Sequence, residues 1–237
     1  MAAVHGRRTK VYVQGVDLTA FLRTANLQRT ADVAESTPFN NEAKGYTVGM
    51  RDGTMAFEGL YDGTAAAIDE VLASILGATS QKVALVPVGV EALGSVACGM
   101  AGDESSYDVD TATDDVATVS VEMQSSTSID RCLVHKVLGA VSSGANGTSI
   151  DNGAASANGG VGYLHVTAAS GGGTLTVKVQ HSADDTTWAD LVTFADVTAV
   201  GAERKTVSGT VNRYTRATHA ITAGSQTYVM AFGRKTF

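Results

Sequence analysis

Proline, tryptophan and cysteine are nearly missing from this 237-residue chain, which has 2 Pro, 1 Trp and 2 Cys. Cys98 and Cys132 are too few for a disulfide framework and lack the spacing of a zinc site, so they are expected to be buried thiols of a protein made in a reducing cytoplasm. Charged residues make up only 17% of the chain, against about 25% in an ordinary soluble domain. Bulky apolar groups are scarce too: Leu, Ile, Val and Phe total 53 residues, just above the roughly 20% below which disorder is the default. The shortage of Leu, Glu and Lys excludes a coiled coil, and glycine without a third-residue period excludes collagen. No apolar run approaches the roughly 20 residues of a membrane helix. Arg7, Arg8 and Lys10 near the amino terminus are followed by no apolar run, so no secretory signal is expected.

What is abundant is small and compatible with strands. Ala 35, Val 29, Thr 28 and Gly 26 supply half of the chain. The charge is uneven: residues up to His135 hold 18 acids and 9 bases, a net of −9, and the remainder holds 6 acids and 8 bases, a net of +2. An acidic first half is a poor grip for nucleic acid, whose affinity comes mainly from Lys and Arg neutralising phosphates.

The charge step coincides with a step in composition. Between Gly139 and Gly162 lie seven glycines, four serines and the turn-forming pairs Asn146-Gly147, Asn152-Gly153 and Asn158-Gly159. This stretch reads as a linker or long inter-domain loop, with an ordered surface loop of one larger β domain as the alternative. The resulting division is 1–138, a linker over 139–160, and 161–237. Alternation predicts strands in both parts. Ala117, Val119, Val121 and Met123 share one face of a strand opposite Thr118, Ser120, Glu122 and Gln124. Weaker alternation occurs over 10–15, 53–61 and 82–88. Further strands are expected over 162–168, 174–181, 188–194, 204–209, 214–222 and 227–232, a spacing that suggests a sandwich or jelly roll. One segment differs: Ile68, Val71, Leu72, Ile75 and Leu76 form a helical stripe over 64–76, with Asp62 or Thr64 to cap its start and Gly77 its end.

The sequence offers no catalytic, cofactor or metal signature. Gly160, Gly162 and His165 have the spacing of a dinucleotide fingerprint but end in His, and neither a phosphate-binding loop nor a GxSxG elbow occurs. The histidines at 5, 135, 165, 181 and 219 are scattered, and each reads as structural or superficial. The acidic stretch 103–115 places Asp108, Asp110 and Asp114 on alternate positions. A calcium loop would need a central Gly and a Glu where Val119 stands. A solvated strand face or loop is the plain alternative.

The segment RTADVAESTPFNNEAKGYTVGMRDGTMAFEGLYDG, Arg29 to Gly63, runs into the amphipathic helix and resembles the tail tube (major tail) proteins of long-tailed, non-contractile bacteriophages of the siphovirus type. Glu35-Ser36-Thr37, Asn40-Asn41 and Gly59-Leu60-Tyr61-Asp62-Gly63 occupy the places of that family's polar loop, turn and Gly-aromatic-Asp step. Asp130 to His135 looks like the close of its tube domain. Leu175–Leu191 and Gly209–Thr222 look like a β domain attached to such proteins in phages of actinobacteria.

The resemblance implies a mainly β protein: an amino-terminal tail-tube-type β-sandwich or barrel with one flanking helix, and a carboxy-terminal β-sandwich of jelly-roll or immunoglobulin-like type. It implies a non-enzymatic virion subunit, made in the host bacterial cytoplasm, whose hexameric rings stack into a tube through which DNA passes without specific binding. Partners would be further copies of the chain, a tape measure protein, and the tail terminator and distal tail proteins; no membrane and no cofactor is implied. Glu58, Glu122, Asp108, Asp110 and Asp114 are candidates for the tube lumen. The polar loop carrying Glu35, Asn40, Asn41, Glu42 and Lys44 is the candidate for reaching the next ring, ordering as it assembles. The carboxy-terminal domain would decorate the exterior. There Trp188, Tyr163 and Tyr214 offer a possible sugar-stacking surface, with a core role for Trp188 as the plainer reading. The alternative function is a glycan-binding, lectin-like virion or cell-surface protein; a hydrolase with a dispersed site has no support in the residues.

Overall fold

The computed structural model describes residues 5–64, 68–78 and 80–235. Its described residues are mainly β. In chain order the strands are β1 (Tyr12–Val13), β2 (Val16–Asp17), β3 (Leu22–Glu35), β4 (Tyr46–Leu60), β5 (Lys82–Pro87), β6 (Val96–Asp110) and β7 (Thr118–Ser125). They continue with β8 (Asp130–Val141), β9 (Ala145–Asn146), β10 (Ile150–Asp151), β11 (Gly160–Ser170) and β12 (Leu175–Ser182). The last are β13 (Ala189–Thr193), β14 (Gly201–Val207), β15 (Tyr214–Ile221) and β16 (Ser225–Arg234); a 3-10 turn, Gly6–Arg8, precedes β1, and an α-helix, α1 (Ile68–Ala73), follows β4.

The chain divides into two compact units, and the division does not fall at residues 139–160. One unit holds the chain up to Ala20, Val83–Gly99 and everything from Asp130 onward; the other holds Phe21–Lys82 and Met100–Ile129. The expected linker is ordered. β8 runs on to Val141, β9 and β10 both pair with β15, and Ser156 bridges Val211. The glycines and asparagines there make turns between short strands, so the ordered-loop alternative describes this stretch.

In the first unit the strands β14-β11-β16-β8-β6-β5-β1-β2 are neighbours in that order, and β15 and β12 lead a second sheet with β9, β10 and β13. Leu164, Val166, Met230 and Phe232 of the large sheet meet Val177, Val179, Val192 and Ala217 of the small one in a shared core. Burial of such side chains stabilises the fold by about 1.5–3 kcal/mol each for the larger ones. The alternate residues of β11 and β16, among them Val161, Tyr163, Val229 and Ala231, enter another core with Tyr12, Leu85 and Val134. With both faces covered, these strands lose the period-two pattern. At the turn between β1 and β2, Gly15 has φ +84° and its backbone lies against Val166 and Gly201, where a Cβ would sit 2.6–2.7 Å from backbone atoms. Only glycine fits there.

In the second unit β3, β4, β7 and the far half of β6 form an antiparallel sheet. Met55, Phe57, Val119, Val121 and Met123 are buried on one face, as the alternation predicts. Ile68 and Leu72 of α1 are buried as well, and Gly77, at φ +68°, closes the turn over residues 74–77 that follows it. The helix is shorter than the predicted 64–76: it ends at Ala73, and residues 65–67 lie outside the described residues. The Asp62 carboxylate accepts from the Thr64 N–H at 3.0 Å, a local turn of the kind expected ahead of a helix.

Candidate functional site

Register places the sequence-predicted acids of the second unit side by side. Thr24 lies opposite Glu58, Glu58 opposite Ser120, and Ser120 opposite Asp108. The adjacent row runs Asn26, Ala56, Glu122, Ser106. These two rows line a shallow depression of about 350 Å³. No Lys or Arg stands in either row, so Glu58, Glu122 and Asp108 repel one another, and like charges in cross-strand neighbourhood weaken a sheet. Small hydroxyl and amide side chains fill the remaining positions. Asp110, two residues beyond Asp108 on β6, pairs with Thr118 on β7. Asp114 is exposed in the loop between β6 and β7 and does not continue the strand spacing. Glu104, from the same acidic stretch, lies opposite Met123 on the apolar face and is buried.

The second feature is an arm. β3 and β4, 14 and 15 residues long, pair from Leu22 opposite Gly59 out to Glu35 opposite Tyr46, and their distal halves are exposed on both faces. Its tip is the polar loop singled out in the sequence. The Ser36 N–H donates to the Gly45 carbonyl at 2.8 Å, the Gly45 N–H to Thr37 Oγ1 at 3.0 Å, and Lys44 Nζ meets Glu35 Oε2 at 3.1 Å. Glu35 and Lys44 therefore tie the base of the loop, the Asn41 N–H donates to the Pro38 carbonyl at 3.2 Å, and the side chains of Asn40, Asn41 and Glu42 are exposed at its end. An exposed pair of this kind is worth about 0–1 kcal/mol. The apolar residues of the arm are unusual. Val33, Tyr46, Val48 and Met50 are 59–79% exposed, Val33 lies directly opposite Val48, and Phe39 at the tip is fully exposed.

Both lateral edges of this sheet are open among the described residues. β3 pairs with β4 alone, and β6 from Glu104 onward pairs only with β7. Since every pairing in the order β3-β4-β7-β6 is antiparallel, β3 and β6 run in opposite directions. The β3 edge of one copy can therefore continue the antiparallel order against the β6 edge of another.

The aromatic candidates of the first unit do not form one surface. Tyr163 is fully buried, which removes it from any sugar-stacking role; its hydroxyl donates to Asp130 Oδ2 at 2.6 Å and accepts from Arg204 Nε at 2.9 Å. Trp188 is half-buried with the Arg216 guanidinium 4.1 Å over its ring, so it is neither core nor a free platform. Tyr214 is half-buried beneath Arg213, 5.0 Å away. His135 and His165 are buried, and burial holds their imidazoles neutral, with pKa values lowered to about 4 and about 3. Cys132 is buried as expected, while Cys98 is only half-buried. Among the described residues no His, Cys, Asp and Glu cluster has the makings of a metal site, and no helix is long and apolar enough to cross a membrane.

The architecture is that of a mainly β, antiparallel protein with a polar sheet face and a projecting hairpin. No protein-family model matches the sequence, and none of the curated proteins does. The solved structures that it resembles include chains of a gene transfer agent particle and of phage hub and baseplate assemblies. A chain in the virion of a native gene transfer agent particle is 15% identical with a TM-score of 0.44, covering 54% of this chain and 98% of its own. The SPP1 Dit protein, titled a paradigm of the hub adsorption apparatus of phages infecting Gram-positive hosts, is 10% identical with a TM-score of 0.38, covering 95% of this chain and 99% of its own. A chain of the phage p2 baseplate in its activated conformation is 9% identical with a TM-score of 0.35, covering 96% and 98%.

Proposed function

We propose that this chain is a structural, non-enzymatic virion protein: a tail tube subunit that polymerises as stacked hexameric rings around a channel for DNA. The observation that carries the reading is the arm. A hairpin that exposes Val33, Tyr46, Val48, Met50 and Phe39 to water carries apolar surface that is useful only once covered by another molecule. The open edges of β3 and β6 supply a lateral contact of the same kind, because exposed strand edges are templates for pairing and ring closure removes them. Head-to-tail contacts repeated along an axis then build a filament. In rings of six copies, about 24 strands spaced ~4.8 Å apart enclose a channel on the order of 40 Å between backbones. The face carrying Glu58, Glu122 and Asp108 would line it, since acids and small hydroxyls give passing DNA neither phosphate neutralisation nor stacking platforms. The exterior role that the sequence assigns to residues 161–237 belongs in this reading to the whole first unit, because those residues share sheets with β1, β5 and β8.

Negative-stain microscopy of the purified full chain tests the proposal. Rings or tubes are expected, and Val33→Asp with Val48→Asp should abolish them while leaving a folded monomer, since both side chains are exposed. Undiminished tubes from that variant would remove the arm from the assembly contact. The channel face is tested separately by Glu58→Lys with Glu122→Lys. Tubes should still form but should retain duplex DNA in a salt-dependent way, and virions carrying the variant should eject DNA more slowly. Unchanged ejection from intact virions counts against a channel-facing role for these two residues.

A further inference from the structure

The first unit has a cationic cavity that the tube proposal leaves unused. It measures about 550 Å³, and its walls include Arg131, Leu133, Asp151, Ser156, Asn158, Arg234 and Lys235. Three cations in one cavity stand out in a chain of net charge −7. The single carboxylate there is already matched. Arg213 holds Asp151 through two contacts at 2.7 and 2.6 Å, and with the Gly153 N–H this lowers its pKa to about 2. Arg234 is fixed in place, one guanidinium nitrogen donating to the Ala154 carbonyl and the other to the Asn152 carbonyl at 3.1 Å. Arg131 and Lys235 are exposed, and among the described residues neither forms an ion pair. Ser156 Oγ is buried and has no hydrogen-bond partner. A hydroxyl in that position is normally satisfied by a protein neighbour, an ordered water or a ligand.

We propose that this cavity binds an oxyanion, a phosphate or carboxylate group borne by a small polyol or sugar. Arg131 and Lys235 supply charge-assisted hydrogen bonds to its oxygens, the Ser156 hydroxyl and the Asn158 amide complete the donor set, and the half-buried Leu133 side chain offers an apolar patch for the carbon skeleton. The volume lies in the range of small-molecule sites, about 300–1,000 Å³.

The test is calorimetric titration of the full chain at low salt with inorganic phosphate, glycerol 3-phosphate and glucuronate, and with glucose as the uncharged control. Saturable binding of at least one anion and none of glucose is expected. The affinity should fall at least tenfold in Arg131→Gln with Lys235→Gln, both exposed and therefore compatible with folding, and several-fold in Ser156→Ala. Tighter binding of glycerol 3-phosphate or glucuronate than of inorganic phosphate supports a group carried on a polyol or sugar, whereas equal binding overturns that part of the assignment and leaves the free ion as the ligand. No saturable binding of any of the three anions, or binding unchanged in the double variant with an unaltered thermal melt, overturns the assignment.

Discussion

Replacing Asp130 by Ala is expected to destabilise the first unit by roughly 2–3 kcal/mol, below the ~3–5 kcal/mol found when one partner of a fully buried ion pair is removed, because this pair is partly buried. Asp130 Oδ2 accepts from Arg204 Nη2 at 3.0 Å and from the Tyr163 hydroxyl at 2.6 Å, and the two charged side chains are only 14% and 16% exposed. The three groups come from separate strands: Asp130 starts β8, Tyr163 lies within β11 and Arg204 within β14 directly opposite Tyr163. Gly99 lies opposite Asp130, and a Cβ there would stand 2.5 Å from the Tyr163 ring, so the absence of a side chain lets that ring lie against the strand. Burial and the neighbouring Asp130 carboxylate push the Tyr163 hydroxyl far above its ordinary pKa, which keeps it a donor. In Asp130→Ala the Arg204 guanidinium keeps only a phenol for company in a poorly hydrated place. Arg204→Met should also destabilise, and the double variant should cost clearly less than the sum of the two, because no orphaned charge remains. Urea unfolding of the three variants measures this; strict additivity would show that Asp130 and Arg204 do not act as a pair.

How much of this was legible depends on whether one face of a strand is buried. The strand over 118–125 and the stripe of α1 have one apolar and one polar side, and the sequence pattern locates both. The arm has neither side buried within the chain, so Leu22–Glu35 shows no period, and only the polar loop at its tip is marked by composition. β11 and β16 fail for the opposite reason, being covered on both faces. That is why Tyr163 reads as an available aromatic when it lies in the core. Residues 139–160 look like a linker because β9 and β10 are two residues each, and their partner β15 lies more than 60 residues further on. The acids Glu58, Glu122 and Asp108 are individually visible as polar positions of strands. Their meeting on one face is set by the register of four strands, which alternation alone does not specify.

Glu104 is the acid whose fate runs most against the sequence pattern, and it gives the stability a pH dependence with a definite sign. A register shift between Glu104 and Ser106 turns Glu104 onto the apolar face opposite Met123, where both carboxyl oxygens are buried without a hydrogen-bond partner. Tyr107, whose hydroxyl donates to Asp69, is coupled electrostatically to Glu104, and it brings no positive charge. Desolvation pushes the Glu104 pKa up from 4.5 to about 7. Below pH 4.5 the carboxyl is neutral in both folded and unfolded chains and costs nothing through ionisation. As pH rises from 4.5 to 7 the unfolded chain loses this proton while the folded chain keeps it, so stability falls across that window and is level above it. At about 1.4 kcal/mol per pKa unit the shift corresponds to at most roughly 3 kcal/mol at pH 8, and partial solvent contact reduces it. Glu104→Met, which keeps the side-chain length and removes the acid, should therefore raise stability at pH 8 by about 2 kcal/mol over wild type, with the gain shrinking towards pH 4. Glu104→Gln should flatten the same pH dependence while retaining the cost of a buried polar group. Urea midpoints at pH 4.5, 6 and 8 read all three proteins, and an advantage of Met over Glu that stays constant across that range would place the Glu104 pKa near its ordinary value.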